Sequence, residues 1–168
     1  MTVKTMQDLF VNELRDLYHA EKQLLKALPK MRKAANNVEL KQCIDEHLGE
    51  TQGQVERLEQ VFEMLQLGKR TKRCEAMEGL ITEGQEVIEE VDDPDVRDAG
   101  LIVAAQKVEH YEIASYGSAV AMARQLGHSQ TIPLLEQTLE QEKAANQKLN
   151  KIALGRVNKL AQQSSQVA

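Results

Sequence analysis

The stretch Val108-Glu-His-Tyr-Glu-Ile-Ala-Ser-Tyr116 carries two carboxylates on a helix face that should be apolar. Ile102, Ile113 and Val120 mark the stripe on this helix. At roughly 100° per residue, Glu109 falls within roughly 20° of Ile102 and Glu112 within roughly 80°. A carboxylate on a buried face is costly unless something compensates its charge. Several that converge repel one another, and a metal cation is the usual remedy.

The helix holding this stretch is bounded on both sides. Asp92-Asp93-Pro94 reads as a cap followed by proline in the first turn, and Gly127-His128 as a stop. Upstream, a first pattern runs from about Thr5 to Ala35, with Met6, Phe10, Leu14, Leu17, Leu24, Leu28 and Met31 spaced three and four apart. Pro29 lies inside it and predicts a kink or break. After the turn at Asn36-Asn37, a second pattern runs from about Glu39 to Leu67 and ends at Gly68. A shorter amphipathic segment covers about Glu75 to Val91. The last long helix opens at Thr131-Ile132-Pro133 and runs to about Val157, and a tail of about 158–168 is expected to fray.

Four long helices joined by short links, with one long crossover of about 68–94 carrying a short helix, predict an all-α, ferritin-like four-helix bundle over 1–168. An up-down bundle with the short helix as a fifth member is the plainer alternative. Each long helix brings an acid to its apolar side. Glu21 fills the seam between Leu17 and Leu24. His47 lies on the side of Ile44, Leu58 and Phe62, with Glu50 nearer the edge. Glu142 falls inside the stripe of Leu135, Leu139, Leu149 and Ala153. The same Glu-x-x-Glu spacing at Glu56/Glu59, Glu75/Glu78, Glu83/Glu86 and Glu86/Glu89 falls off the stripes and reads as solvated surface.

Iron and manganese take carboxylate oxygen and imidazole nitrogen. Two such ions need bridging carboxylates and terminal Glu or His, and residues at i and i+3 on one face serve both roles. The candidate ligands are therefore Glu21, His47, Glu50, Glu109, Glu112 and Glu142. Five carboxylates and a neutral imidazole against two divalent ions leave about one negative charge, if all five are ionised.

Composition agrees with this class. Of 168 residues, 42% are apolar and only 3% aromatic, and Ala, Leu, Glu, Lys and Gln favour helix. The net charge of -5 argues against nucleic acid as main partner. No apolar run reaches membrane-spanning length, and Cys43 and Cys74 form neither a zinc pattern nor a disulfide framework. A reducing cytoplasm is the expected setting.

The run Ala104-Ala-Gln-Lys-Val-Glu-His-Tyr-Glu-Ile-Ala-Ser-Tyr-Gly117 resembles the YciF-like bacterial stress-response proteins. So do Ala20-Glu-Lys-Gln-Leu24, His47-Leu-Gly-Glu-Thr51, Cys74-Glu-Ala-Met-Glu-Gly-Leu80 and Thr138-Leu-Glu-Gln-Glu-Lys143. The resemblance covers nearly the whole chain, in order. It implies a ferritin-like bundle related in architecture to rubrerythrins, and a homodimer, without supplying a reaction. Histidine is scarce against that pattern. His47 precedes Glu50, the reverse of Glu-x-x-His; Ala145 follows Glu142 by three; Gln52 stands where some relatives have His.

Other polar residues receive plainer readings. His110 is expected at the surface or a helix interface, and His19 and His128 at the surface. Tyr116 either packs or bonds a carboxylate, and Asn146 is a candidate partner for the ligands. Lys69 to Arg73 reads as a solvated loop, and Cys74 as an inert thiol that neighbouring cations could instead activate. Three functions follow: a dinuclear iron or manganese protein reacting with dioxygen or peroxide, a metal-stabilised structural protein without turnover, and an iron-storage shell.

Overall fold

Thr5 starts the first helix with a capping box. Its hydroxyl accepts from the Asp8 amide at 3.0 Å, and the Asp8 carboxylate accepts from the Thr5 amide at 3.1 Å. In this computed structural model, which describes residues 2–164, the helices are α1 (Met6–Ala34), α2 (Val38–Met64), α3 (Glu75–Glu90), α4 (Pro94–Gln125) and α5 (Ile132–Ile152). A π turn over Ala153–Val157 leads into α6 (Asn158–Ser164). Asn37, Cys74 and Asp93 cap α2, α3 and α4, each accepting a backbone N–H at the helix start.

Three sequence expectations are corrected. Of the kink or break expected at Pro29, the break does not occur: α1 is continuous through it. The proline is exposed, so the carbonyl it leaves without a partner can take water. Nor does Gly68 close α2. Gln66 does, in the left-handed region at φ 54°, with Leu67 N donating to Phe62 O at 2.8 Å. Gly127, at φ 74°, closes α4 in the same way, as expected. The tail expected to fray from about 158 is helical as far as Ser164, because the π turn buries Ala153 and Val157 and carries α6 onto α4; residues 165–168 lie outside the described residues.

Side-chain pairs fix the topology. Arg32–Asp45 and Tyr18–Glu59 make α1 and α2 antiparallel. Arg57–Thr138 and Lys148–Glu46 do the same for α2 and α5, and Gln106–Asn146 with Arg124–Glu136 for α4 and α5. Asn36–Asp98 at one end and Phe10 stacked on His128 at the other make α1 and α4 antiparallel. The four therefore form a ring in the order α1, α2, α5, α4, with α2 and α4 parallel across the diagonal. That is the ferritin-like arrangement, and the crossover makes it possible: α3 packs on α1 and α4 and returns the chain to the end where α2 began.

The apolar core comes in two parts. One contains Leu24, Leu28, Ile44, Ile102, Val108 and Leu149; the other contains Phe10, Leu14, Leu17, Leu58, Phe62, Tyr116 and Leu135. Each of the four bundle helices contributes to both. Between them, on each of these four helices, stands a buried polar residue: Glu21, His47, Glu109 with Glu112, and Glu142. No described helix is long and apolar enough to cross a membrane.

Candidate metal centre

Seam positions put these side chains inside. Glu109 and Glu112 are one turn apart on α4 and point the same way. Glu21, Glu112 and Glu142 are fully buried, and His47 and Glu109 nearly so. His47, Glu109, Glu112 and Glu142 each offer one ligand atom within 4.8 Å of all the others. Nε2 of His47 lies 3.6 Å from Glu109 Oε1 and 4.0 Å from Glu142 Oε2. Those separations are too long for hydrogen bonds. They suit two donors flanking an ion that sits about 2.0–2.2 Å from each.

Glu21 and Glu50 stand outside that group of four. Glu21 accepts a hydrogen bond from the Tyr116 hydroxyl at 2.5 Å, its second oxygen unpartnered. Glu50 is half-buried at the edge, its Oε2 3.7 Å from His47 Nδ1. Two other off-stripe readings need correcting. His19 is half-buried and its Nδ1 accepts from the Cys74 amide at 3.1 Å; His128 is half-buried, bonded to Gln7 and stacked on Phe10. His110 is exposed as expected.

Unmet hydrogen bonding is concentrated in this layer. Glu21 Oε2, both nitrogens of His47, Gln54 Oε1, Glu109 Oε2, both oxygens of Glu112 and Glu142 Oε2 are buried without a hydrogen-bond partner. Buried polar atoms are nearly always satisfied, so such a group calls for an explanation. Oxygen and imidazole donors aimed at one space fit a hard or borderline cation.

Electrostatics point the same way. Burial pushes the carboxyls of Glu21, Glu109 and Glu112 well above their ordinary range, and repulsion from neighbouring carboxylates, Glu142 in every case, adds to it. Burial also raises Glu142, opposed by the His47 ring beside it and by the Gln54 amide that donates to it. Glu50 goes the other way, since the His47 imidazole beside it holds its carboxyl below the usual value. Burial therefore favours the protonated form of Glu21, Glu109, Glu112 and Glu142, and a cation would favour the ionised form.

Sequence reading missed the positioning groups. Gln54, fully buried and two turns beyond His47 on the same face, donates to Glu142 Oε1. Arg57 bonds Thr138 and Gln141 alongside and weighs electrostatically on Glu21. Asn146, by contrast, pairs with Gln106 at 3.4 Å rather than with a ligand. Gln52 is exposed and donates to Glu56. The plainer reading suits Cys74 better: burial raises its thiol, and the neighbouring Arg73 is engaged with Glu78.

A family model described as "Domain of unknown function (DUF892)" matches residues 5–162. Protein YciF of Escherichia coli (strain K12) is 51% identical over 163 residues, covering 96% of this chain and 98% of that protein. The crystal structure of the E. coli stress protein YciF superposes with a TM-score of 0.89 at 51% identity, covering 94% of this chain and 99% of that one. YcfI from Rhodopseudomonas palustris gives 0.87 at 49% identity, covering 88% and 94%. A protein from Xanthomonas campestris pv. campestris, at 0.76 and 23% identity over 96% and 99%, shares the fold.

Proposed function

The chain belongs to the DUF892 family and is a relative of the stress protein YciF, and from that premise we propose that it is a dinuclear metal-binding protein. His47, Glu109, Glu112 and Glu142 form the centre of the site, and Glu21 and Glu50 complete it for two ions of iron or manganese. The observation that carries this reading is the set of eight unpartnered atoms, all buried in one layer between the two halves of the core. Two divalent ions would meet five carboxylates, leaving about one negative charge.

Bound there, a redox-active pair would supply electrons to a small oxidant such as peroxide. The residues of this chain do the rest. Glu109 and Glu112 present oxygens on one side of α4. Tyr116 holds Glu21 and Gln54 holds Glu142. Apolar residues border the layer on either side. Because burial favours the protonated form of Glu21, Glu109, Glu112 and Glu142, metal and protons compete for the same oxygens, so affinity rises with pH.

A second reading, an ion that fastens four helices without turnover, is favoured by the scarcity of histidine. Buried Ala145 stands one turn from Glu142, and exposed Gln52 faces away. Loading with iron under low oxygen, elemental analysis, then peroxide with optical recording separates the two. Turnover predicts a spectral change absent from Glu109→Gln; the fastener predicts bound metal and a raised melting temperature with no such change. No bound metal contradicts both. The free, buried thiols of Cys43 and Cys74 support the cytoplasmic setting. A homodimer belongs to the same proposal, with exposed Val103 and Leu154 as available apolar surface. Light scattering checks it: a mass near twice 18.9 kDa is expected, against 18.9 kDa for a monomer or many times that for a storage shell.

A further inference from the structure

A cavity of about 200 Å³ opens between α1, α3 and α4, where the crossover helix lies against the bundle. Its walls are apolar, with Leu28 and Met31 from α1, Ile81 and Ile88 from α3, and Ala104 and Ala105 from α4. His47 and Glu109 line it at its inner end. Protein interiors are close-packed, and a space this large needs small residues to keep it open. Gly84 is one of them. A Cβ there would stand 3.6 Å from the Ala104 Cβ and 3.9 Å from the Met31 Cε, so any longer side chain would enter the cavity.

The outer end differs in charge. Lys26 and Lys30 line it from α1, one turn apart and exposed, and neither has an ion-pair partner among the described residues. Their stems extend the apolar wall while their ammonium groups stay in water. The pocket therefore has mainly apolar side walls, His47 and Glu109 at its inner end, and two lysines at its mouth. Ligand sites commonly combine apolar walls with a few charged groups that fix orientation.

We propose that this cavity binds a monoanionic amphiphile, an unbranched acyl chain with a carboxylate head. The tail lies against Leu28, Met31, Ile81 and Ile88, and the head pairs with Lys26 and Lys30. The reverse orientation would bring a second carboxylate against Glu109. A cationic amphiphile would meet two like charges at the mouth. The inference rests on the cavity's lining and charge and needs no bound metal, although the proposed ligands His47 and Glu109 close its inner end.

Calorimetric titration of the full chain with decanoate tests it, before and after treatment with a chelator. Decanol and decyltrimethylammonium serve as comparators. One saturable site for decanoate is expected, with both comparators at least about tenfold weaker. Ala104→Leu should remove binding by filling the cavity. Lys26→Glu combined with Lys30→Glu should weaken it by at least about tenfold while leaving metal content and melting temperature unchanged. Absence of saturable binding overturns the proposal. So does decanoate binding no tighter than either comparator, or binding undiminished by the lysine changes. Those changes lie on the surface, so the test holds even if Ala104→Leu fails to fold.

Discussion

Glu112 is fully buried with neither carboxylate oxygen hydrogen-bonded, so of all the side chains here it has the most to gain from a cation. Glu112→Gln keeps the shape and removes the charge. At pH 8 the metal-free variant should be more stable than the wild type by about 1–3 kcal/mol, and its bound metal should fall sharply. Thermal melts and elemental analysis of the same samples check both. A metal-free variant less stable than the wild type would show that the carboxylate is satisfied in some other way. Tyr116→Phe should act more mildly. It removes the hydroxyl from Glu21 and leaves both oxygens of that carboxylate bare, so metal affinity should fall about tenfold with the fold intact. At this scale the sequence was legible wherever an acid broke an apolar stripe, as Glu21, Glu109 and Glu142 do. Gln54 was not, because an uncharged amide on a stripe carries no such penalty. Its only signal was its position two turns after His47.

Asp98 shows what sequence leaves out at the level of the helices. In the first turns of α4 it reads as an ordinary acid near a helix start. In the fold it is buried and accepts from the amides of Asn36 at 2.7 Å and Asn37 at 2.6 Å, tying the α1–α2 turn to α4. Asp98→Ala would strand both amides, at an expected cost of about 2–4 kcal/mol in chemical denaturation. A change below about 0.5 kcal/mol would mean that water replaces the carboxylate. At the end of α2, Gln66 adopts a conformation glycine prefers, so Gln66→Gly should stabilise by up to about 1 kcal/mol. Helix starts were legible because Thr5, Asn37 and Asp93 cap through their own side chains. The end of α2 was not, because the chain bends at a glutamine while a glycine two residues on attracts the reading. Pro29 misled for a related reason: its cost depends on whether its face meets solvent or core.

The whole molecule is two apolar half-cores separated by one polar layer, and its response to pH follows from that layer. Glu21, Glu109, Glu112 and Glu142 have folded-state values raised above the 4.5 of a free glutamate. Such groups favour the folded state fully below 4.5 and lose that advantage as pH rises through their raised values. The metal-free protein should therefore fall behind Glu112→Gln in melting temperature as pH rises from about 5 to 8. The loaded protein should show the opposite trend, since protons compete with the ions. A gap between the metal-free proteins that stays constant with pH would contradict the assignment. The ring of four helices could be read from the sequence because short links and one long crossover admit few arrangements. That the acids share one level could be anticipated only as similar depth along each helix. The cavity beneath α3 could not, since it depends on how the crossover seats against Ala104 and Met31. The most direct test is anomalous diffraction from crystals grown with iron or manganese. Two peaks enclosed by His47, Glu109, Glu112 and Glu142, flanked by Glu21 and Glu50, are predicted. No peak in that layer, or peaks only at surface pairs such as Glu86 and Glu89, would contradict the account.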